Sequence, residues 1–490
     1  MEKLRAAAWW LLPSVVALYV YWAGLFAWFQ QDDFVWLHLL ATVHSPHDLL
    51  VALFRPTDHG TWRPIPERAF FLGFGWLFGY NALPYRIVVF LTQCGNLALI
   101  AAITRRLSGS ALAGVLASVL WIASSQLIVV MSWTSEYILA AAGLCLLAAF
   151  YLLLRYANTG ERRYWGYCWL VFLAGFLMME TNIVFPLLAV SYVFLYARPI
   201  FRKTLTFFIP SVVYGLLHVV FVNPHGAGVY TMHFDLSIAR TLTRYVGKAF
   251  EPQSLDSFTT FPSWVGPAGA VMFGVALIGF VVWRTWRRDW LPGLMVAWFV
   301  FLLSPVLPLR DHVVPYYLTL PMIPLSMLGA LAVAAAWNWR SRLPLAMGAR
   351  VLATGLVVFY LAESIPVARG GTAWWAGRSH EVERLARYVF RVHRRRPESI
   401  IVLRHVDSDL FWTGIAHYPF LDDRERPYVY LAGGADLSIE AHPETGFQVA
   451  DFVYPAEKVQ WGIANNRVVL IDVSRAGFFD VTAQFRPQAP

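Results

Sequence analysis

The chain has 490 residues, 58% of them hydrophobic and only 14% charged. A soluble domain of this length carries about a quarter charged residues, so a soluble enzyme is excluded. The net charge of +9 is not a nucleic-acid signal, because the arginines gather in short connections between apolar runs, the orientation signal of a membrane protein.

Taken in chain order, the apolar pattern predicts about eleven spans of roughly the length a hydrocarbon core requires. They fall near 9–29, 84–103, 111–131, 137–154, 164–178, 182–196, 205–222, 264–282, 290–307, 314–336 and 352–366. Met1 to Arg5 before the first run reads as the start of a retained helix rather than a cleaved leader. If the spans alternate, Lys3 and Arg5, Arg105 and Arg106, Arg155 with Arg162 and Arg163, Arg198 with Arg202 and Lys203, Arg284 with Arg287 and Arg288, and Arg340 with Arg342 share one side. The positive-inside rule makes that side the cytoplasm, with the N-terminus inside. The loop 30–83, the loop 223–263, the corner Arg310–His312 and the whole C-terminal tail are then outside. Within loop 30–83, Val35, Trp36, Leu39, Leu40 and Val43, then Leu49, Leu50, Leu53 and Phe54, fit amphipathic helices in the interface. The stretch 68–78 is apolar but rather short to span.

The composition changes after Pro366. Residues 378–396 read as a charged helix. Stretches 399–403, 428–431 and 468–473 read as strands, with Gly433-Gly434 and several prolines as turns. The expected architecture is an all-α polytopic membrane domain over 1–367 and a small extracytoplasmic α/β domain over 368–490, large enough for a modest core of its own. The three cysteines, Cys94, Cys145 and Cys168, lie in apolar runs and show neither a disulfide framework nor metal-ligand spacing.

The most informative local feature is the pair Asp32-Asp33, where the first span leaves the bilayer. Carboxylates at such a position are costly to desolvate and invite a functional explanation. Aspartate is also a favoured helix N-cap, so the pair fits a plain helix start as well. Asp407, Asp409, Asp422 and Asp423 read as caps or turn residues of the C-terminal domain.

Four stretches carry a family likeness. They are Asp32-Asp33; Trp62-Arg63-Pro64 with Leu77-Phe78-Gly79-Tyr80-Asn81, Pro84-Tyr85 and Arg105-Arg106-Leu107; Trp133-Thr134-Ser135-Glu136-Tyr137; and Met179-Glu180-Thr181-Asn182 with Pro186. Over roughly residues 1–200 the chain resembles the GT-C superfamily of membrane glycosyltransferases, in particular family 39-like enzymes, the relatives of protein O-mannosyltransferases and aminoarabinose transferases. Arg310-Asp311-His312 with Pro315-Tyr316-Tyr317 and Pro321 is similar more loosely. The chain departs from the pattern at Arg86 and Gln93, where relatives often carry His. It also departs at Met179, in place of lysine, at Val129, in place of an acid, and at Asp33, where Glu is common. The C-terminal domain carries no such likeness.

The resemblance implies a sugar donor on a polyprenyl phosphate carrier, presented at the outer membrane face; the span count and a composition rich in Ala, Arg and Trp suit a bacterial cytoplasmic membrane. The resemblance also implies inverting transfer to an extracytoplasmic glycan, lipid or protein acceptor. Asp32 is then the base that takes the acceptor proton, and Asp33 its orienting partner. A neighbouring carboxylate tends to raise one pKa of the pair. Arg63, Arg86 and Arg310, with His312, are the candidates for the leaving phosphate, and Glu136 and Glu180 for substrate contacts. Arg63 at an interface also fits a snorkelling side chain, and Glu180 a brace between helices. No metal ligands are assigned, but Asp32, Asp33, His38, His44, His47 and His59 lie near enough in sequence to make a divalent ion possible. Two other functions stay open: a transporter or flippase of lipid-linked sugars, disfavoured by the absence of paired broken spans, and an inactive scaffold relative.

Overall fold

Helices of the computed structural model, which describes residues 2–56, 62–221, 228–250, 262–339, 343–420, 427–442, 447–474 and 476–486, lie on every expected span. Among the described residues, however, only five, or six if one bent pair counts as a single span, are long and apolar enough to cross a membrane, against the eleven expected. His59, Arg340, Arg342, Asp422, Asp423 and much of the loop 223–263 lie outside the described residues, as do the side chains of Lys3 and Arg5.

Helix α1 (Glu2–Leu25) is followed by the outer-loop helices α2 (Asp33–Leu37), α3 (Pro46–Phe54) and α4 (Phe70–Phe78). Helix α3 starts on a capping box between Ser45 and Asp48, with Pro46 in its first turn, a set of residues that satisfies the free N–H groups of a helix start. At nine residues α4 is about 14 Å long, too short to cross a bilayer. Then come α5 (Ala82–Ser108), α6 (Ala111–Ile122), α7 (Ile128–Ser132), α8 (Tyr137–Thr159) and α9 (Arg162–Gly175). Gly109 and Gly160, both at φ 71°, end α5 and α8 in the left-handed conformation that glycine adopts without strain. The expected third span is broken. Its second piece, Ser125–Ser132, bends by 58° from α6. The Ser124 side chain accepts from the Gln126 backbone N–H and starts the new turn.

The next helices are α10 (Phe185–Tyr196), α11 (Phe201–Thr204), α12 (Phe208–Phe221), α13 (Ser237–Phe250), α14 (Val265–Trp286), α15 (Leu291–Leu303) and α16 (Met322–Asn338). On α14, Val271, Val275, Ile278 and Val282 are exposed, an apolar outer surface that suits lipid rather than water.

The largest departure from expectation is α17 (Leu343–Arg395), one helix of 53 residues that runs through Pro366. At about 80 Å it is far longer than a bilayer is thick. The expected boundary at 367/368 therefore falls inside a continuous helix. Beyond it lie β1 (Ile400–Arg404), α18 (Ser408–Thr413), β2 (Val429–Leu431), α19 (Ala435–Ser438), α20 (Ala456–Ala464), β3 (Val468–Ser474) and β4 (Gly477–Asp480). Their sheet has the order β2-β1-β3-β4, parallel except for the β3–β4 hairpin. The three expected strands are present and β4 is additional.

This C-terminal part does not keep its main core to itself. Val382, Leu385, Ala386 and Val389, at helical spacing on α17, pack with Ile401, Leu403, Phe411 and Ile471 on one side. Trp28, Phe29, Phe34, Phe71 and Tyr85 of the N-terminal part complete the same cluster. Burial of aromatic surface on this scale holds the outer loop and the sheet together as one unit. A separate small cluster of Val402, Ile463, Val468, Leu470 and Val481 lies between the sheet and α20.

Candidate active site

The site is built where α1, the α7–α8 turn and the C-terminal part meet. Gly24 is required there, since a Cβ at that position would lie 1.9 Å from the Met131 carbonyl oxygen. Arg86 is fully buried. Its Nε donates to the Gly24 carbonyl at 2.8 Å, and a terminal nitrogen donates to the Met131 carbonyl. Gln30 Nε2 donates to the Ser132 carbonyl at 3.0 Å. These bonds occupy carbonyls that a helix end leaves free, and they lock the exit of α1 onto the end of α7. Arg86 thus braces these helix ends from the interior, with one terminal nitrogen left without a hydrogen-bond partner among the described residues.

Gln31, at φ 48°, turns the chain sharply, and the two aspartates part company. Asp33 is fully buried. Its Oδ1 accepts from the Ser135 N–H and hydroxyl, both at 2.6 Å, and its Oδ2 accepts from the Gln30 N–H at 3.0 Å. Burial pushes its carboxyl up to about 7, against the opposing pull of these bonds and of Arg86. Burial, rather than the neighbouring carboxylate, is the main cause of the raised Asp33 pKa. Asp32 points the other way with a side chain 52% exposed, and it makes no side-chain capping bond to α2.

Arg63 enters from the turn before a short π-helical segment (Pro64–Ala69). Its Nε and one terminal nitrogen grip both oxygens of Glu180 at 2.8 and 2.7 Å, and the other terminal nitrogen donates to Glu67 at 2.9 Å. Burial opposes the charge, but Glu180 and Glu67 hold the guanidinium well above its usual value. Burial raises Glu67. Beside the triad, Trp62 stacks on Tyr214 at 6.3 Å.

Glu136 is buried, and burial, with smaller contributions from Asp32, Glu67 and Asp33, raises its carboxyl to about 8 despite Arg63. Among the described residues, its Oε2 finds no hydrogen-bond partner, and neither do Glu67 Oε2, Trp62 Nε1, Trp133 Nε1 or the Tyr214 hydroxyl. Buried polar atoms are nearly always partnered in a finished protein, so each of these atoms is open to a water or a polar ligand. The opposite rim is aromatic. Tyr230 lies 4.6 Å from the His312 ring, and Tyr316 and Tyr317 follow it. Burial lowers His312 and raises Tyr230, with Asp32 and Glu136 adding to the latter.

Asp32, Arg63 and Glu136 thus belong to one electrostatic neighbourhood with Glu180 and Tyr230. Arg310 stands at its edge, 41% exposed, and pairs with Asp235 at 3.3 Å and Asp311 at 3.5 Å. The metal expectation does not fit: among the described residues no three His, Cys, Asp or Glu side chains converge on a common point. His38 Nε2 bonds the Tyr418 carbonyl, His44 Nε2 bonds the Ala41 carbonyl, and His47 is an exposed neighbour of Asp48.

Sequence reasoning missed Glu67, although its i,i+4 spacing from Arg63 was a readable pairing signal. It also missed Tyr230, and His417, whose Nδ1 lies 3.6 Å from Asp32 Oδ1. Nothing in the sequence marks a residue 385 positions away as a neighbour of Asp32.

Over residues 64–227 the chain matches the family model for dolichyl-phosphate-mannose-protein mannosyltransferase. Among solved structures it is similar to that of ArnT from Cupriavidus metallidurans in the apo state, with 15% identity over 96% of this chain and 94% of that chain and a TM-score of 0.49. The structure of the same ArnT bound to undecaprenyl phosphate matches at 14% identity over the same shares, with a TM-score of 0.46. No curated protein sequence matches the chain.

Proposed function

We propose that the chain is a membrane glycosyltransferase that moves a sugar from a polyprenyl phosphate carrier to an acceptor hydroxyl outside the cytoplasm, with inversion. The observation that carries this reading is the divergent aspartate pair. Asp33 is anchored by three hydrogen bonds, while Asp32 stays half exposed and acts electrostatically on Glu136 and Tyr230. The mannosyltransferase family match over 64–227 covers Arg86, Glu136 and Glu180, while Asp32, Asp33, Arg63, Arg310 and His312 lie outside it.

In this mechanism Asp32 takes the proton of the acceptor hydroxyl. The acceptor oxygen attacks the anomeric carbon from the face opposite the phosphate, the carbon–oxygen bond to phosphate breaks, and the lipid phosphate leaves. A base that is partly solvated and precisely held suits this task, since proton transfer needs hydrogen-bond reach before it needs an unusual pKa. Glu136, neutral near pH 7, can donate a hydrogen bond from its carboxyl group to a sugar or phosphate oxygen, as a protonated acid in an apolar setting does. Arg310 and His312 are the groups at the rim available to the leaving phosphate. Arg63 and Glu180 shape the wall between them, because the arginine fork is already filled by carboxylates. The N-terminus lies on the cytoplasmic side of a bacterial cytoplasmic membrane and the C-terminal part on the outer side, a reading supported by the basic connections.

The test is release of undecaprenyl phosphate by purified protein from a panel of undecaprenyl-phosphate hexoses and pentoses, with envelope lipid, glycan and peptide acceptors. Turnover that Asp32→Asn lowers by about 100-fold or more supports the reading. Full activity of that variant removes Asp32 from the mechanism. Passage of intact donor across vesicles without release favours the transporter instead.

A further inference from the structure

The C-terminal part reaches the base directly. We propose that His417 is a positioning residue for Asp32, supplied by the C-terminal part of the chain, whose Nδ1–H orients the Asp32 carboxylate toward the acceptor hydroxyl. This rests on the reading of Asp32 as base.

The imidazole is fixed on both flanks. Gln31 N donates to the Thr413 carbonyl at 2.8 Å, and His38 Nε2 bonds the Tyr418 carbonyl at 3.1 Å. The segment 413–418 is thus tied to residues 31 and 38, on either side of Asp32. Within it, His417 closes a 3-10 turn (Ile415–His417) and Tyr418 takes a left-handed φ of 53°. The turn is seated on α17 by Gly414, where a Cβ would meet Val382 at 2.5 Å. The ring itself has a side chain only 11% exposed and packs edge-on against Phe447 at 5.4 Å.

Two features direct this ring at Asp32. Its Nδ1 is buried without a hydrogen-bond partner among the described residues, and Asp32 Oδ1 is 3.6 Å away. That separation is a few tenths of an ångström beyond a hydrogen bond, the looseness typical of catalytic contacts before substrate binds. Burial lowers the imidazole below its usual value, more strongly than Asp32 raises it. Burial thus favours the neutral ring, whose Nδ1–H tautomer is a neutral donor facing an acceptor-only carboxylate. A neutral donor fixes the direction of the carboxylate without making it a much weaker base, as a full positive charge would. An analogous division of labour, one group orienting the base that does the chemistry, underlies catalytic triads.

The experiment compares His417→Asn, His417→Gln and His417→Phe with wild type and Asp32→Asn in the full-length protein. The assay is undecaprenyl phosphate release from whichever undecaprenyl-phosphate sugar the wild type turns over. Asparagine places an amide N–H where Nδ1 stood, glutamine places it where Nε2 stood, and phenylalanine keeps only the packing. The expected result is a kcat about 10- to 100-fold down in the Phe and Gln variants with donor KM unchanged. The Asn variant is expected to recover at least about 5-fold over Gln, by an order-of-magnitude estimate from one oriented hydrogen bond. Equal kcat for the Asn and Gln variants overturns the proposal, as does wild-type kcat for Phe. If Asp32→Asn is dead while all three His417 variants match wild type, only this inference fails. If Asp32→Asn is active, the reading it rests on fails.

Discussion

Arg63 offers the sharpest test of how the site is held. Its fork is filled by Glu180 on two nitrogens and by Glu67 on the third, at 2.7 to 2.9 Å. The side chains are 15%, 26% and 5% exposed respectively. Arg63→Met would strand two carboxyls in a poorly solvated wall. Breaking one buried pair from one side typically costs about 3–5 kcal/mol. The two losses do not simply add. Glu67 is already raised by burial and takes up a proton when its partner goes, while Glu180 regains some water. The expected net cost is about 3 kcal/mol, or roughly 3 °C in melting temperature for a chain of this size. Arg63→Lys should recover part of it, since one ammonium cannot reproduce a bidentate fork. Adding Glu180→Gln to Arg63→Met should cost less than the sum of the two single changes, by about 1–3 kcal/mol. The assay is thermal unfolding in detergent followed with a thiol-reactive dye, which the three cysteines in the helices report on opening. A melting temperature for Arg63→Met within about 1 °C of wild type, with additive double-variant effects, refutes this reasoning. A raised donor KM at unchanged stability would return Arg63 to phosphate binding.

Three further outcomes follow from the same geometry. Asp33→Asn keeps one oxygen for Ser135 but turns an amide N–H₂ against the Gln30 N–H, so it should lower the melting temperature by several degrees where the half-exposed Asp32→Asn lowers activity alone. Equal thermal behaviour of the two variants would contradict the separation of roles. Glu136 is held at about 8 in the folded chain against an ordinary value of 4.5. The folded state thus binds a proton that the unfolded chain releases. The benefit is complete below about pH 4.5 and is lost as pH rises toward 8. Glu136→Gln, which mimics the protonated acid, should flatten the fall in melting temperature between pH 5 and 8; identical pH profiles would show that Glu136 is ionised throughout. Gly24→Ala drives a methyl against the Met131 carbonyl, 1.9 Å away, and should sharply reduce folded yield, measured as monodisperse protein after extraction. Normal yield would mean that α1 and α7 are not locked.

What the residues alone determined was the membrane class, the positions of the apolar helices and the segments that make strands. Those properties follow from local apolar length and period, and every expected span has a helix on it. The aspartate pair was legible too, because a charge at a helix exit is conspicuous against apolar sequence. The division of labour within the pair was not legible, since it turns on the left-handed Gln31 and on Ser135 about a hundred positions away. The filling of the Arg63 fork, the retreat of Arg86 to backbone carbonyls and the failure of the described histidines to converge were likewise decided by packing. The same is true of the shared core that carries His417 to Asp32. Hydrophobic periodicity says which face of a helix is buried but not against what, and α17 could bring the C-terminal part onto the outer loop only because aromatic surface on both was waiting to be covered.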